Sequence, residues 1–280
     1  MQQASNEDRL RALWSSMADE AGTLCGDMPA LVRQKRPLVH LLTNYVTVTD
    51  CVNAVLAVGG RAICSHAPDE AAEVCLGSDA LVLNLGGTEY YQAMDLAAGA
   101  AASHDIPIVI DPVGCSASRF RRDECLRMTE AFHPAAIRGN YAEIAALIEG
   151  HSEGSGLDST ILPADDDLSR FKESMSAFAG LHGLICIASG PTDLCTDGRS
   201  FLEVSRGTPA LRRITGAGCL STAVLAAYLA ARPGICSAVS ALNYIALAGE
   251  TAQKACRLTN TGAGHFHMFF MDALGSGEPI

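Results

Sequence analysis

The chain has 280 residues, 49% of them apolar and 18% charged, enough to build a sizeable core and to exclude wholesale disorder. Lysine and arginine number 20 against 31 Asp plus Glu, giving a formal net charge of −11 with no basic block. That balance, with one Trp, six Tyr and eight Phe, argues against nucleic acid or an anionic membrane surface as a partner.

The 11 cysteines are an odd number and include no Cys-x-x-Cys pair, so the usual zinc and thioredoxin spacings are missing. Many, such as Cys64 and Cys186, fall in apolar runs and read as reduced, small core residues of a cytoplasmic protein. The opening MQQASNEDRLRALW is polar and has no apolar leader segment, and the Ala-rich run from Ala223 to Ala231 is too short to span a bilayer.

In chain order, residues 1–36 read as a polar helical extension. Ser5 is its expected N-cap, and Leu10, Leu13, Trp14 and Met17 fall on one face. From Pro37 short apolar runs alternate with helical ones. Strands are expected at 37–43, 61–65, 80–85 and 107–114, and helices at 48–58, 68–76 and 89–104. The pattern resumes with a strand at 135–139, a helix from Tyr141, and a strand at 184–189. Between them, 150–167 is rich in Gly, Ser and Asp and reads as a surface insertion, because the alternation continues after it. Two hairpin strands should flank Asp197-Gly198; over 212–234 a glycine turn should open a long apolar helix, and a second helix should follow at 237–256. Continuous apolar strands with intervening helices predict one α/β domain over 1–280, with a mostly parallel sheet covered on both faces.

Three places can carry chemistry. Thr215-Gly216-Ala217-Gly218-Cys219 opens a helix, where glycines permit close backbone approach and first-turn amides point at an anion. No Walker A sequence is present, and no G-x-G-x-x-G follows the first strand. At that helix start the Cys219 thiol is expected to have a lowered pKa, as a base, a nucleophile or a small buried side chain. Asp111, in Asp-Pro-Val-Gly, ends an apolar strand where α/β sheets bind ligands. Asn140 reads as an N-cap with Glu143 at the third helical position, a capping box; the same carboxylate also suits Mg²⁺. The histidines offer no metal-binding spacing.

Taken in order, Pro37-Leu-Val-His…Thr43-Asn44, Asp111-Pro-Val-Gly114, Ala135-Ala-Ile-Arg-Gly-Asn-x-x-Glu-Ile144 and Thr215-Gly-Ala-Gly-Cys219 resemble hydroxyethylthiazole kinases. The resemblance runs from about Pro37 to the last helix. It implies the ribokinase-like three-layer fold and transfer of the γ-phosphoryl group of ATP to the primary alcohol of 4-methyl-5-(2-hydroxyethyl)thiazole, a thiamine salvage step. It further implies that Gly216, Gly218 and Cys219 form the catalytic turn, and that Arg138, Ser189 and Asn140 serve the nucleotide. Asn44, Cys64 and Gly216 would meet the alcohol, and Asp111 and Glu143 would organise Mg²⁺. A homotrimer with the thiazole pocket at a subunit interface is also implied. The chain departs from the family pattern at Cys64, where Met is usual, and at Gly87, Pro191 and His265. The alternatives are a kinase of another small heterocyclic alcohol, or a non-catalytic relative that binds nucleotide or thiazole.

Overall fold

The computed structural model describes residues 5–149 and 165–275. The polar start forms two helices, α1 (Asn6–Cys25) and α2 (Met28–Lys35), where one was expected. Gly26 separates them with φ +58°, a backbone angle that glycine adopts without steric cost. Ser5 caps α1 as expected: its hydroxyl accepts from the Asp8 amide at 3.1 Å, and Asp8 accepts from the Ser5 amide at 3.2 Å.

The body then alternates β1 (Leu38–Leu42), α3 (Val48–Ala57), β2 (Arg61–Ile63), α4 (Pro68–Leu76), β3 (Ala80–Asn84), α5 (Tyr91–Ser103), β4 (Ile108–Asp111), α6 (Arg119–Phe132), β5 (Ala136–Asn140) and α7 (Tyr141–Glu149). The expected insertion at 150–167 lies almost wholly outside the described residues. Beyond it come α8 (Asp165–His182), β6 (Ile185–Ser189), the hairpin β7 (Asp193–Thr196) and β8 (Phe201–Val204), then α9 (Ala217–Ala231), α10 (Ile235–Thr259) and α11 (Ala263–Leu274).

The strands form one eight-stranded sheet in the order β2-β1-β3-β4-β5-β6-β7-β8. It is parallel from β2 to β6, and the final hairpin is antiparallel. Alternate side chains of each buried strand feed two cores. Val39, Leu41, Val82 and Val109 pack with α1, α2, α3, α9, α10 and α11. Leu42, Leu81, Leu83 and Ile110 pack with α4 to α8. Three layers result, as expected for strands buried on both faces. All 11 cysteines are free; Cys25, Cys51, Cys75, Cys115, Cys125, Cys186 and Cys195 are buried, whereas Cys64 is only half-buried and Cys236 is exposed. Among the described residues, no helix is long and apolar enough to cross a membrane.

The strand order changes direction at β1, with β2 on one side and β3 on the other. Ligands of open α/β sheets bind beyond the strand C-termini at such a point. Here those C-termini carry Asn44, Asn84, Asp111, Asn140 and Ser189, in neighbouring register where Asn84 faces Asp111 and Asn140 faces Ser189.

Candidate active site

A cavity of about 730 Å³ lies over the ends of β4, β5 and β6, next to the Asn44 and Asn84 ends of β1 and β3. Its polar end is built by Asp111, Arg138, Glu143 and the start of α9; its apolar end is built by Leu211, Ile214, Leu242 and Ile245. Of the residues singled out from the sequence, Asp111, Arg138, Asn140, Glu143, Ser189, Gly216, Gly218 and Cys219 all line it. Asn44 and Cys64 do not. Asn44 reaches the site through the Cys219 Sγ, 3.8 Å from its Nδ2. Cys64 lies one residue past β2, half-buried against the core that includes α3 and α9.

Gly216 is the N-cap of α9 with φ +76° and ψ 10°, in the left-handed region. A Cβ there would stand 2.4 Å from Thr47 Cγ2, so the turn is pressed against the chain just before α3. The first-turn amides of α9 have no partner within the helix. The helix dipole adds partial positive charge at the same place. Arg138 fixes the turn from the opposite side: its Nη1 donates to the Gly218 carbonyl at 3.0 Å, and its buried Nε has no hydrogen-bond partner.

Asp111 lies beneath the turn and is 3% exposed. Its carboxyl is pushed up to about 7, first by burial and then by the nearby charge of Glu143, while Arg138 pulls it down. Glu143 and Asn140 form the expected capping box, with reciprocal amide bonds of 2.9 Å. The other Glu143 oxygen accepts the Gly114 amide at 3.0 Å, tying α7 to the Asp-Pro-Val-Gly turn. The capping and metal readings of Glu143 are compatible, because each carboxylate oxygen retains a second lone pair.

Two residues that were given no site role from the sequence join the site in the structure. Asn84 donates Nδ2 to Asp111 Oδ2 at 2.8 Å, and its Oδ1 accepts from Asn44 Nδ2 at 3.1 Å and from the Gly86 amide at 3.0 Å. The chain Asn44–Asn84–Asp111 therefore crosses three strand ends and orients the carboxylate. An Asp at 84 would lack the donor. Asp193 is the second. It lines the cavity, accepts the Gly190 amide at 3.0 Å, and has its pKa raised by burial. Asn84 could have been noticed as a polar residue ending an apolar strand level with the strand that ends in Asp111.

Cys219 corrects one expectation. Its thiol pKa is not lowered by the helix start but pushed far up, mainly by burial and next by the charge of Asp111. Desolvation and a neighbouring carboxylate outweigh the dipole, so the group is a neutral thiol at physiological pH. Cys219→Ala should lower kcat by less than the ~10²-fold that general-base loss typically costs. Iodoacetamide at pH 8 should modify the exposed Cys236 well before Cys219, as peptide mass spectrometry would read. Rapid labelling of Cys219 would contradict the neutral-thiol assignment.

A family model described as the hydroxyethylthiazole kinase family matches residues 30–276. The chain is 36% identical over 246 residues to a hydroxyethylthiazole kinase of Methanocella arvoryzae, covering 87% of this chain and 89% of that one. It is 35% identical over 256 residues to that of Roseobacter denitrificans, covering 91% and 96%. Among solved structures it is similar to a hydroxyethylthiazole kinase from Pyrococcus horikoshii, with a TM-score of 0.78 and 29% identity over 90% of this chain and 93% of that one. A Bacillus subtilis pyridoxal kinase, solved as an ADP complex, shares the fold with a TM-score of 0.54 and 17% identity, covering 74% and 89%.

Proposed function

Because this chain belongs to the hydroxyethylthiazole kinase family and has the ribokinase-like fold, we propose that it transfers the γ-phosphoryl group of ATP to the primary alcohol of 4-methyl-5-(2-hydroxyethyl)thiazole, a salvage step toward thiamine. The observation that carries the reading is the placement of the α9 N-terminus, Arg138 and buried Asp111 around one end of the cavity. Phosphoryl transfer asks a protein mainly for positioning and charge stabilisation, and these groups supply both.

The amides of Gly216–Cys219 stabilise the transferring phosphoryl group, and Arg138 meets the nucleotide phosphates with Ser189 and Asn140 alongside. The apolar end, at Leu211, Ile214, Leu242 and Ile245, takes the nucleobase. Cys219, as a neutral thiol beside Asn44, orients the alcohol and is not a strong base. Asp111 and Glu143 fit Mg²⁺: both carboxylates line the cavity, and the Asp111 pKa is raised first by burial and then by the Glu143 charge, which a cation would relieve. When bound, Mg²⁺ neutralises charge on the phosphate oxygens.

On the alcohol side, Tyr45 and Val46 follow Asn44 and are 76% and 60% exposed. Nearby, the His66 ring packs on Tyr90 with centroids 4.1 Å apart. Exposed apolar side chains beside the reacting end support a homotrimer in which a neighbouring subunit completes the pocket around Asn44 and Cys64. The free cysteines, as in a reducing compartment, favour a cytoplasmic enzyme. A coupled ADP-release assay with a panel of small alcohols tests the proposal. Turnover highest with the thiazole alcohol is expected; turnover confined to another alcohol, or binding without turnover, would overturn it.

A further inference from the structure

The apolar end of the cavity is organised by one stripe of α10. Leu242, Ile245 and Ala246 line the cavity. One turn on, Gly249 packs beneath the loop after β8: a Cβ there would meet Leu211 Cδ1 at 3.1 Å and Thr208 Cγ2 at 3.2 Å. The next residue, Glu250, holds that loop directly. Its Oε1 accepts the Gly207 amide at 2.8 Å, and its Oε2 accepts Arg206 Nη2 at 2.6 Å.

Arg206 is itself a cavity-wall residue, and it has a second carboxylate partner. Its Nη2 lies 2.7 Å from Glu20 Oε1, on α1. The matched family region begins at residue 30, so α1 precedes it. Docking of α1 against the body does not need this ion pair. Met17, Ala21 and Cys25 are buried in the core, Trp14 packs near Phe269 at 6.3 Å, and Ser240 donates to the Cys25 carbonyl at 3.3 Å. With two carboxylates on one guanidinium, the charge of Arg206 is fully compensated. It is therefore poorly suited to capture a phosphate and well suited to act as a strut.

We propose that Arg206 is a positioning residue for the nucleotide end of the cleft, and that Glu20 of the N-terminal helix sets its place, so that α1 tunes nucleotide affinity. This rests on the kinase reading, with the nucleobase at the apolar end. The link is direct: α1 holds Arg206, Arg206 and Glu250 hold the loop at 206–208, and that loop forms the wall against which the base lies. The two side chains are partly exposed, at 27% for Arg206 and 36% for Glu20, so the effect is modest.

The test is Glu20→Gln, which keeps the shape of the side chain and removes its charge. ADP affinity is measured by calorimetry, which needs no turnover, and steady-state constants are measured for both substrates. The expected result is a ~2–5-fold weaker ADP affinity and a matching rise in KM for ATP, with kcat and KM for the alcohol unchanged and the same melting temperature. In an Arg206→Ala background the same Glu20 substitution should have no further effect on ADP affinity. Unchanged or tighter ADP binding by Glu20→Gln would overturn the proposal. So would an effect of Glu20→Gln that persists without Arg206, or equal changes in both KM values. Failure of the underlying kinase reading is seen separately, as a wild-type chain that does not bind ADP.

Discussion

Asp111→Asn is expected to lower kcat by about 10²–10³-fold, with little change in KM for the alcohol, while making the ligand-free protein more stable at pH 8. The first half follows from the place of the carboxylate. It lies beneath the turn at Gly216–Cys219, oriented by Asn84, where the proposed transfer would require charge to be organised. Loss of an interaction made mainly in the transition state appears in kcat. The second half follows from its surroundings. The Asp111 carboxyl is raised from 3.8 to about 7, so between those values the folded chain retains a proton that the unfolded chain has released. Its contribution to stability is therefore full below about pH 4 and is lost as pH rises through 7. At roughly 1.4 kcal/mol per pKa unit, the ionised carboxylate costs at most about 4 kcal/mol at pH 8. Asn carries no such cost and still offers an acceptor to Asn84. Thermal melts from pH 5 to 8 should show the wild type losing stability with pH and the variant losing less. A variant that is less stable than wild type at pH 8 would show that the buried carboxylate is already well compensated in the empty protein.

The same opposition of forces marks what could be read from the sequence. The parallel strands were legible because they are continuous apolar runs between turn residues, and β3 and α4 fall within a residue of their expected limits. The long helices α9 and α10 announced themselves in the same way. By contrast, α6 carries Arg119, Arg121, Arg122, Asp123 and Glu124 in its first two turns, and its apolar face shows only when it is packed. The helix α11 begins in a Gly-Ala-Gly segment that signals a turn. In the site, residues tied to local motifs were found, including the reciprocal cap of Asn140 and Glu143. What was missed depends on register and on distant partners. Asn84 matters because β3 sets it level with Asp111, and Arg206 because α1 and α10 both reach it. The Cys219 thiol was misjudged for the same reason. The helix start is visible in the sequence, but the burial and the Asp111 charge that outweigh it are tertiary.

Gly216→Val is expected to be the most damaging single change in the catalytic turn, lowering kcat/KM for ATP by ~10³-fold or more, beyond Cys219→Ala and Cys219→Asp. Two effects combine. Position 216 holds φ +76°, where an L residue costs roughly 1–2 kcal/mol and a β-branched one more. A Cβ would also collide with Thr47 Cγ2 at 2.4 Å, so either the turn or the start of α3 must move. A shift of the turn misplaces the amides at 217–219, and a misplacement of about 1 Å can cost ~10²-fold. Gly216→Ala paired with Thr47→Ser separates the two effects, because the serine lacks the methyl that the new Cβ would strike. The pair should recover part of the melting temperature lost by Gly216→Ala alone, the share due to the Cγ2 collision. Its kcat should remain depressed, because the left-handed turn is still strained and the phosphoryl group still meets a side chain. Full activity in Gly216→Val would place the anion site elsewhere in the cavity. Full recovery of kcat in the paired variant would show that Gly216 serves only to clear Thr47.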